Sequence, residues 1–455
     1  MVPTWLATEM GPLYELENPP EVALAWPRMQ ELLLTRLPHT DPEIPRLEQV
    51  TVFTSGFGLR GWIDVTWLLF SFWGTVPYGE LMKNRGRAYM DPTRHHETIS
   101  AANLGRVLDA MGVRFADLST HLEIDHFSRI TLFDLTRFRE RPLWIMPDGN
   151  VLCVDAALLM ERLGPFAFWS IMNALDTKER RRHFSGVWGD AFEAYALDAL
   201  ATMMGSRTWA FSANPADGDE AGEELADAVG LRKSSAMFVE CKGTFMTSAQ
   251  KYSGVPRRFF RGLTQKFGRV QHGAVYQLVR AIKRTWIERI PQASIGKPDS
   301  VNDVFPVLVV QDPILACGPV CRVLSDRFNV AWARASRGKS TRLPRVWPLA
   351  ILHADDLDRL HSAIKITGQP LDAILKRFHR TYPSRMHSFQ EFTSSAWGRE
   401  LIPDASHQAN LRQFKEFGEA TLARFHAKST VGPELRPTAS LALTRSLGQC
   451  KPSSA

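Results

Sequence analysis

Glu193, Asp227, Glu240 and Lys242 are the residues of this chain whose types and spacing could do chemistry together. Glu240-Cys241-Lys242 closes an apolar run, Ala236-Met237-Phe238-Val239. In a strand, alternate side chains share a face, so Phe238, Glu240 and Lys242 point one way, Val239 and Cys241 the other. One intervening residue therefore sets a carboxylate beside an ammonium. Asp227 opens the preceding run, Asp-Ala-Val-Gly-Leu, and Arg232-Lys233-Ser234-Ser235 reads as the turn that joins both runs into a hairpin. Pairing the two strands brings Asp227 near Glu240.

Carboxylates gathered at one point repel each other unless a cation joins them. Oxygen-only ligands suit Mg2+, which is held by one or two carboxylates together with waters and phosphate oxygens. Such an ion polarises a phosphate and helps make hydroxide from water. Lys242 is then placed to orient that water or to neutralise charge in the transition state. The bland alternative for Glu240 and Lys242 is a surface ion pair worth ~0–1 kcal/mol. Asp217 or Asp219 in the acidic loop DGDEAGEE could replace Asp227 as a ligand.

The elements that must position these groups can be read from periodicity. Phe184, Trp188, Phe192, Tyr195 and Ala199 recur at steps of three and four, one apolar face of a helix. Glu193 falls ~140° round from Trp188, on the flank of that face. Val304 to Gln311 (VFPVLVVQ) is a continuous apolar run, as in a strand buried on both faces. Leu349 to Leu352 is a shorter one.

In order along the chain, Gly189-x-x-Phe192-Glu193 on a helix, Asp227 at the head of a strand and Glu240-Cys241-Lys242 at the end of the next form an ensemble. It resembles the core motif of the PD-(D/E)XK nuclease superfamily. A Gln on the following helix belongs to that pattern, and Gln277 in GAVYQLVRAIKR matches it. Ala226 stands where the family often has Pro. The resemblance spans Phe184 to Asp312. It implies an α+β fold of α/β/α layering, with a mixed sheet flanked by helices. It also implies Mg2+-dependent phosphodiester hydrolysis, Mn2+ being a substitute, with Glu193, Asp227 and Glu240 on the metal, Lys242 serving the water and Gln277 in support. DNA is the expected substrate, cut endonucleolytically. RNA cleavage by the same fold, a non-catalytic nucleic-acid-binding protein and a helical scaffold with ordinary surface acids remain the competing readings. Many bacterial members of the superfamily cut foreign DNA, so an anti-phage role follows by analogy.

The net charge of +7 is modest for 455 residues, so its placement carries the information. From Cys241 to Ile287 there is no acid, while Arg257, Arg258, Arg261, Lys266, Arg269, Lys283 and Arg284 fall within that run. Such a stretch suits backbone phosphates. The interleaved Tyr252, Phe259, Phe260 and Phe267 are either a base-stacking surface or core. A second acid-free run holds Arg334, Arg337, Lys339, Arg342 and Arg345.

Residues 1–177 are read as a mostly helical N-terminal region with one hairpin at Pro147-Asp148-Gly149-Asn150, serving recognition or scaffolding. Residues 178–363 are the nuclease-like core, 364–428 a helical C-terminal extension and 429–455 a disordered tail. Five scattered cysteines argue for reduced thiols and a cytoplasmic protein. No signal peptide is visible, and the apolar segment Val65 to Trp73 is shorter than the ~20 residues that span a bilayer, so no membrane is expected. Room is left for a homodimer and for a protein partner of the N-terminal region. His95-His96-Glu97 and His121 to His126 lack the spacing of a zinc helix, and Gly338-Lys339-Ser340 lacks the first glycine of a P-loop.

Overall fold

The computed structural model describes residues 28–41, 65–66, 69–70, 72–73, 89–92, 101–122, 135–162, 165–205, 209–216, 224–268, 273–290, 292, 295, 298–338 and 343–397. Described residues from Arg182 onward form one compact unit, and those between 28 and 181 form another. Both mix helices with strands.

The N-terminal unit carries a four-stranded sheet. Tyr89–Met90, Val151–Cys153 and Leu143–Ile145 pair antiparallel in that order, and Gly112–Arg114 joins parallel to the last. The hairpin expected at Pro147 to Asn150 is present. Gly149 takes φ 84 there, which a residue without Cβ adopts freely. Of this sheet only that hairpin was legible; Tyr89–Met90 and Gly112–Arg114 are too short to show alternation. Val65, Leu69 and Trp73 of the apolar segment are buried.

The second unit is built on a sheet of alternating apolar strands. Its elements are α1 (Lys178–Met204), β1 (Ala210–Ala213), β2 (Ala228–Arg232), β3 (Ser235–Lys242), α2 (Ser248–Lys251), α3 (Pro256–Phe267), α4 (Ala274–Trp286), β4 (Asp303–Val310), α5 (Gly318–Ser336), β5 (Arg345–Val346), β6 (Ala350–His353), α6 (Ala354–Thr367), α7 (Leu371–Thr381) and α8 (Phe389–Trp397). The strand order is β6-β4-β3-β2-β1, and β5 also pairs with β4. β1, β2 and β3 are antiparallel neighbours; β3, β4 and β6 are parallel. Pro348 separates β5 from β6, as expected of a residue that cannot donate to the ladder.

Alternation sorts the core into two layers. Ala236, Phe238, Val304 and Leu308 face α3, α4 and α5, whereas Met237, Val239, Cys241, Phe305, Val307 and Val309 face α1, α6, α7 and α8. Helices thus cover both faces of a mixed sheet. The helices from Leu371 to Trp397 pack into this core through Leu371, Ile374, Leu375, Phe378, Phe389 and Phe392. Among the described residues no helix is long and apolar enough to cross a membrane. Cys153, Cys241, Cys317 and Cys321 are free thiols; Cys450 lies outside the described residues.

Candidate active site

β2 and β3 form the expected hairpin, turned through Lys233 and Ser234, with Lys233 at φ 50. Ala228 pairs with Val239, so Asp227 lies beside Glu240 at the C-terminal end of β3. The Asp227 Oδ2 accepts a hydrogen bond from the Cys241 amide at 2.6 Å. That bond anchors the carboxylate to the strand carrying its partners.

Lys242 Nζ stands 2.9 Å from Glu240 Oε2 and 3.9 Å from Asp227 Oδ2. The Glu240 side chain is 2% exposed and that of Lys242 23%, so the ammonium reaches solvent while its main partner does not. This is therefore no exposed surface pair. Burial opposes the charge on Lys242, but Glu240 and Asp227 outweigh it and hold the pKa above the lysine range.

Glu193 arrives from the other face. Its helix, α1, packs on the layer of Met237, Val239 and Cys241, opposite to the face of Glu240. Burial pushes Glu193 up to about 7, with the charge of Asp227 adding and that of Lys242 opposing. Glu240 is likewise pushed up to about 7 by burial, against Lys242, and Asp227 is raised for the same first reason. The four groups therefore feel one another. The approach of α1 depends on Gly243, where an added Cβ would stand 2.8 Å from Phe192 Cβ.

Gln277 is on α4, which must run back from the C-terminal ends of the strands because β4 is parallel to β3. The Trp286 ring packs edge-on against Phe238 at 5.7 Å. Nine residues of helix cover ~13 Å, and four residues of strand cover ~13 Å, so Gln277 stands at the level of Lys242. Its Oε1 is buried with no hydrogen-bond partner among the described residues.

The hydrogen bonds of Asp227 and Glu240 described above engage Oδ2 and Oε2, and Gln277 Oε1 is buried without a partner among the described residues. That donor set fits an oxygen-seeking cation held by one or two carboxylates and completed by water. Among the described residues no group of three or more His, Cys, Asp or Glu is gathered closely enough to hold a metal by itself. Asp217 and Asp219 lie outside the described residues.

The basic run divides. Arg257, Arg258 and Arg261 are exposed on one side of α3. Lys266 is turned inward, Lys283 is paired with Glu288 at 2.6 Å, Arg284 is half-buried, and Arg269 lies outside the described residues. The interleaved aromatics are not a stacking surface. Tyr252, Phe259 and Phe267 are buried, and Phe260 packs edge-on against Phe259. The spacing of Phe259 and Phe267 on α3 puts both in the core.

A second buried charge group beside the site escaped the sequence reading. Asp312, just past β4, accepts from Lys251 Nζ at 2.6 Å and from the Met246 amide at 2.7 Å. Its signal was an acid at the exit of an apolar strand. No family model, no curated protein and no solved structure matches the chain.

Proposed function

We propose that the chain is a Mg2+-dependent nuclease that hydrolyses phosphodiester bonds of DNA endonucleolytically, in the manner of the PD-(D/E)XK superfamily it resembles. One observation carries the reading: an ammonium set between two carboxylates at the exit of a parallel strand, 2.9 Å from Glu240 and 3.9 Å from Asp227. Ligand sites in open α/β sheets lie outside the carboxyl ends of such strands.

Glu193, Asp227 and Glu240 would hold the ion, with Gln277 in support. When bound, the ion supplies Lewis acidity toward a phosphate oxygen and lowers the pKa of a coordinated water. Lys242, held charged by its two neighbours, faces the attacking water and the developing negative charge. Arg257, Arg258 and Arg261 grip backbone phosphates without reading bases. Free thiols and the absence of a spanning helix among the described residues suit a cytoplasmic protein, and an anti-phage role is the biological reading the resemblance carries.

The test is nicking of supercoiled plasmid with Mg2+, Mn2+ or chelator. Glu240→Ala and Lys242→Ala should each lower cleavage by at least about 10²-fold with unchanged circular dichroism. Undiminished cleavage in both variants would end the assignment.

A further inference from the structure

Lys266 lies on the same side of α3 as Phe259 and Leu263 and so faces inward. Its Nζ donates to Thr244 Oγ1 at 3.0 Å and to the carbonyl oxygen of Phe245. These residues directly follow Lys242 and Gly243 in the chain. The next residue, Met246, gives its amide to Asp312, which holds Lys251. Three consecutive residues at the exit of β3 are thus held by buried or half-buried charges. We propose that Lys266 is a positioning residue for the site: its ammonium ties Thr244 and Phe245 and thereby fixes the strand end that presents Glu240 and Lys242.

An ammonium lodged against a hydroxyl and a carbonyl, with no carboxylate paired to it among the described residues, is an unfavourable way to fill space. Methionine would pack there without that penalty. Burial lowers the Lys266 pKa to about 8; Asp312 opposes the shift and Lys251 adds to it. The tether is therefore charge-assisted below about pH 8 and weakens above it. The same helix turns Arg257, Arg258 and Arg261 to solvent, so one rigid element joins the phosphate grip to the reacting strand. The effect on turnover rests on the nuclease reading, but the tether itself does not.

The experiment compares the full chain with Lys266→Met and Lys266→Arg, by amide hydrogen exchange of residues 243–247 and by plasmid nicking across pH. At pH 7 the protection of this segment should fall about tenfold in Lys266→Met, the worth of one charge-assisted bond, while that of α4 is unchanged. Lys266→Arg should keep it at pH 7 and at about pH 9.5, where arginine stays charged. The unmodified chain should behave like the arginine variant at the lower pH and drift toward the methionine one at the higher. Nicking should show an alkaline limb near pH 8 that Lys266→Arg moves upward. Equal protection of 243–247 in the unmodified chain and Lys266→Met at both pH values would overturn the proposal. If Lys266→Met does not fold, Lys266→Gln takes its place in the same comparison, and protection of 243–247 equal to that of the unmodified chain at both pH values overturns the proposal. A segment that loosens as expected in a protein that cuts no substrate upholds the tether and removes only the nuclease reading.

Discussion

Gly243 and Phe192 touch so closely that a methyl group on the glycine would stand 2.8 Å from Phe192 Cβ. Phe192 is fully buried and immediately precedes Glu193. The contact therefore sets how near α1 brings its carboxylate to the end of β3. Gly243→Ala should displace the helix, destabilise the fold by about 1–3 kcal/mol and lower nicking further than stability alone explains. Urea unfolding and nicking rates on the same samples check it; unchanged activity would detach Glu193 from the reaction.

Glu193 and Glu240 stand at about 7 in the folded chain, against ~4.3 for an unfolded Glu. Between those values the folded state binds more protons than the unfolded one, so stability falls as pH rises through the window. A cation that takes the deprotonated form reverses this. Mg2+ at about ten times its dissociation constant should raise unfolding free energy by ~1.4 kcal/mol at pH 8 and have no effect at pH 5. The same gain at both pH values would place the ion elsewhere.

Arg257, Arg258 and Arg261 are the exposed cations of α3. Replacing all three by Ala should weaken duplex binding in chelator and flatten the log–log salt dependence by about 0.9 per lost phosphate contact. Glu240→Ala should leave that slope alone. Fluorescence anisotropy at several salt concentrations separates the two. An unchanged slope in the triple variant would put the nucleic acid on another surface.

Lys266 carries an opposite stability signature. Its folded pKa of about 8 lies below the unfolded ~10.4, so the unfolded chain binds more protons between these values and stability rises with pH across them. At pH 7 the burial penalty is present in full. Lys266→Met should then gain on the order of 2 kcal/mol of unfolding free energy after allowance for partial exposure, read as a higher urea midpoint, while nicking falls. A lower midpoint would make Lys266 a plain structural contact.

Much of the site was legible because a period of two is a strong signal. The Glu-x-Lys pair on one strand face follows from alternation, the hairpin that sets Asp227 beside Glu240 from a turn between two short runs, and the buried strand at Val304 from an unbroken apolar run. The layer from which Glu193 comes was not legible, since a helical wheel gives a face but not the side of the sheet it covers. β1 escaped because Ala210–Ala213 is short, with both end residues exposed and no buried residue. The choice between stacking surface and core, left open for the aromatics, had a cue that went unused. Phe259, Leu263 and Phe267 recur every fourth residue, as a core stripe does, and Lys266, seven residues after Phe259, falls on the same side.

The hairpin of β2 and β3 has a consequence for assembly of the molecule. Asp227, Glu240 and Lys242 are all carried by one short stretch of chain closed by two turn residues. Ribbons of this kind zip within about 1–10 μs, whereas β4 must find β3 across the whole span of α2, α3 and α4. Acid, acid and amine are thus gathered by low-contact-order pairing early, and one ammonium offsets part of the repulsion between two carboxylates within the ribbon before the parallel strands seal it from water.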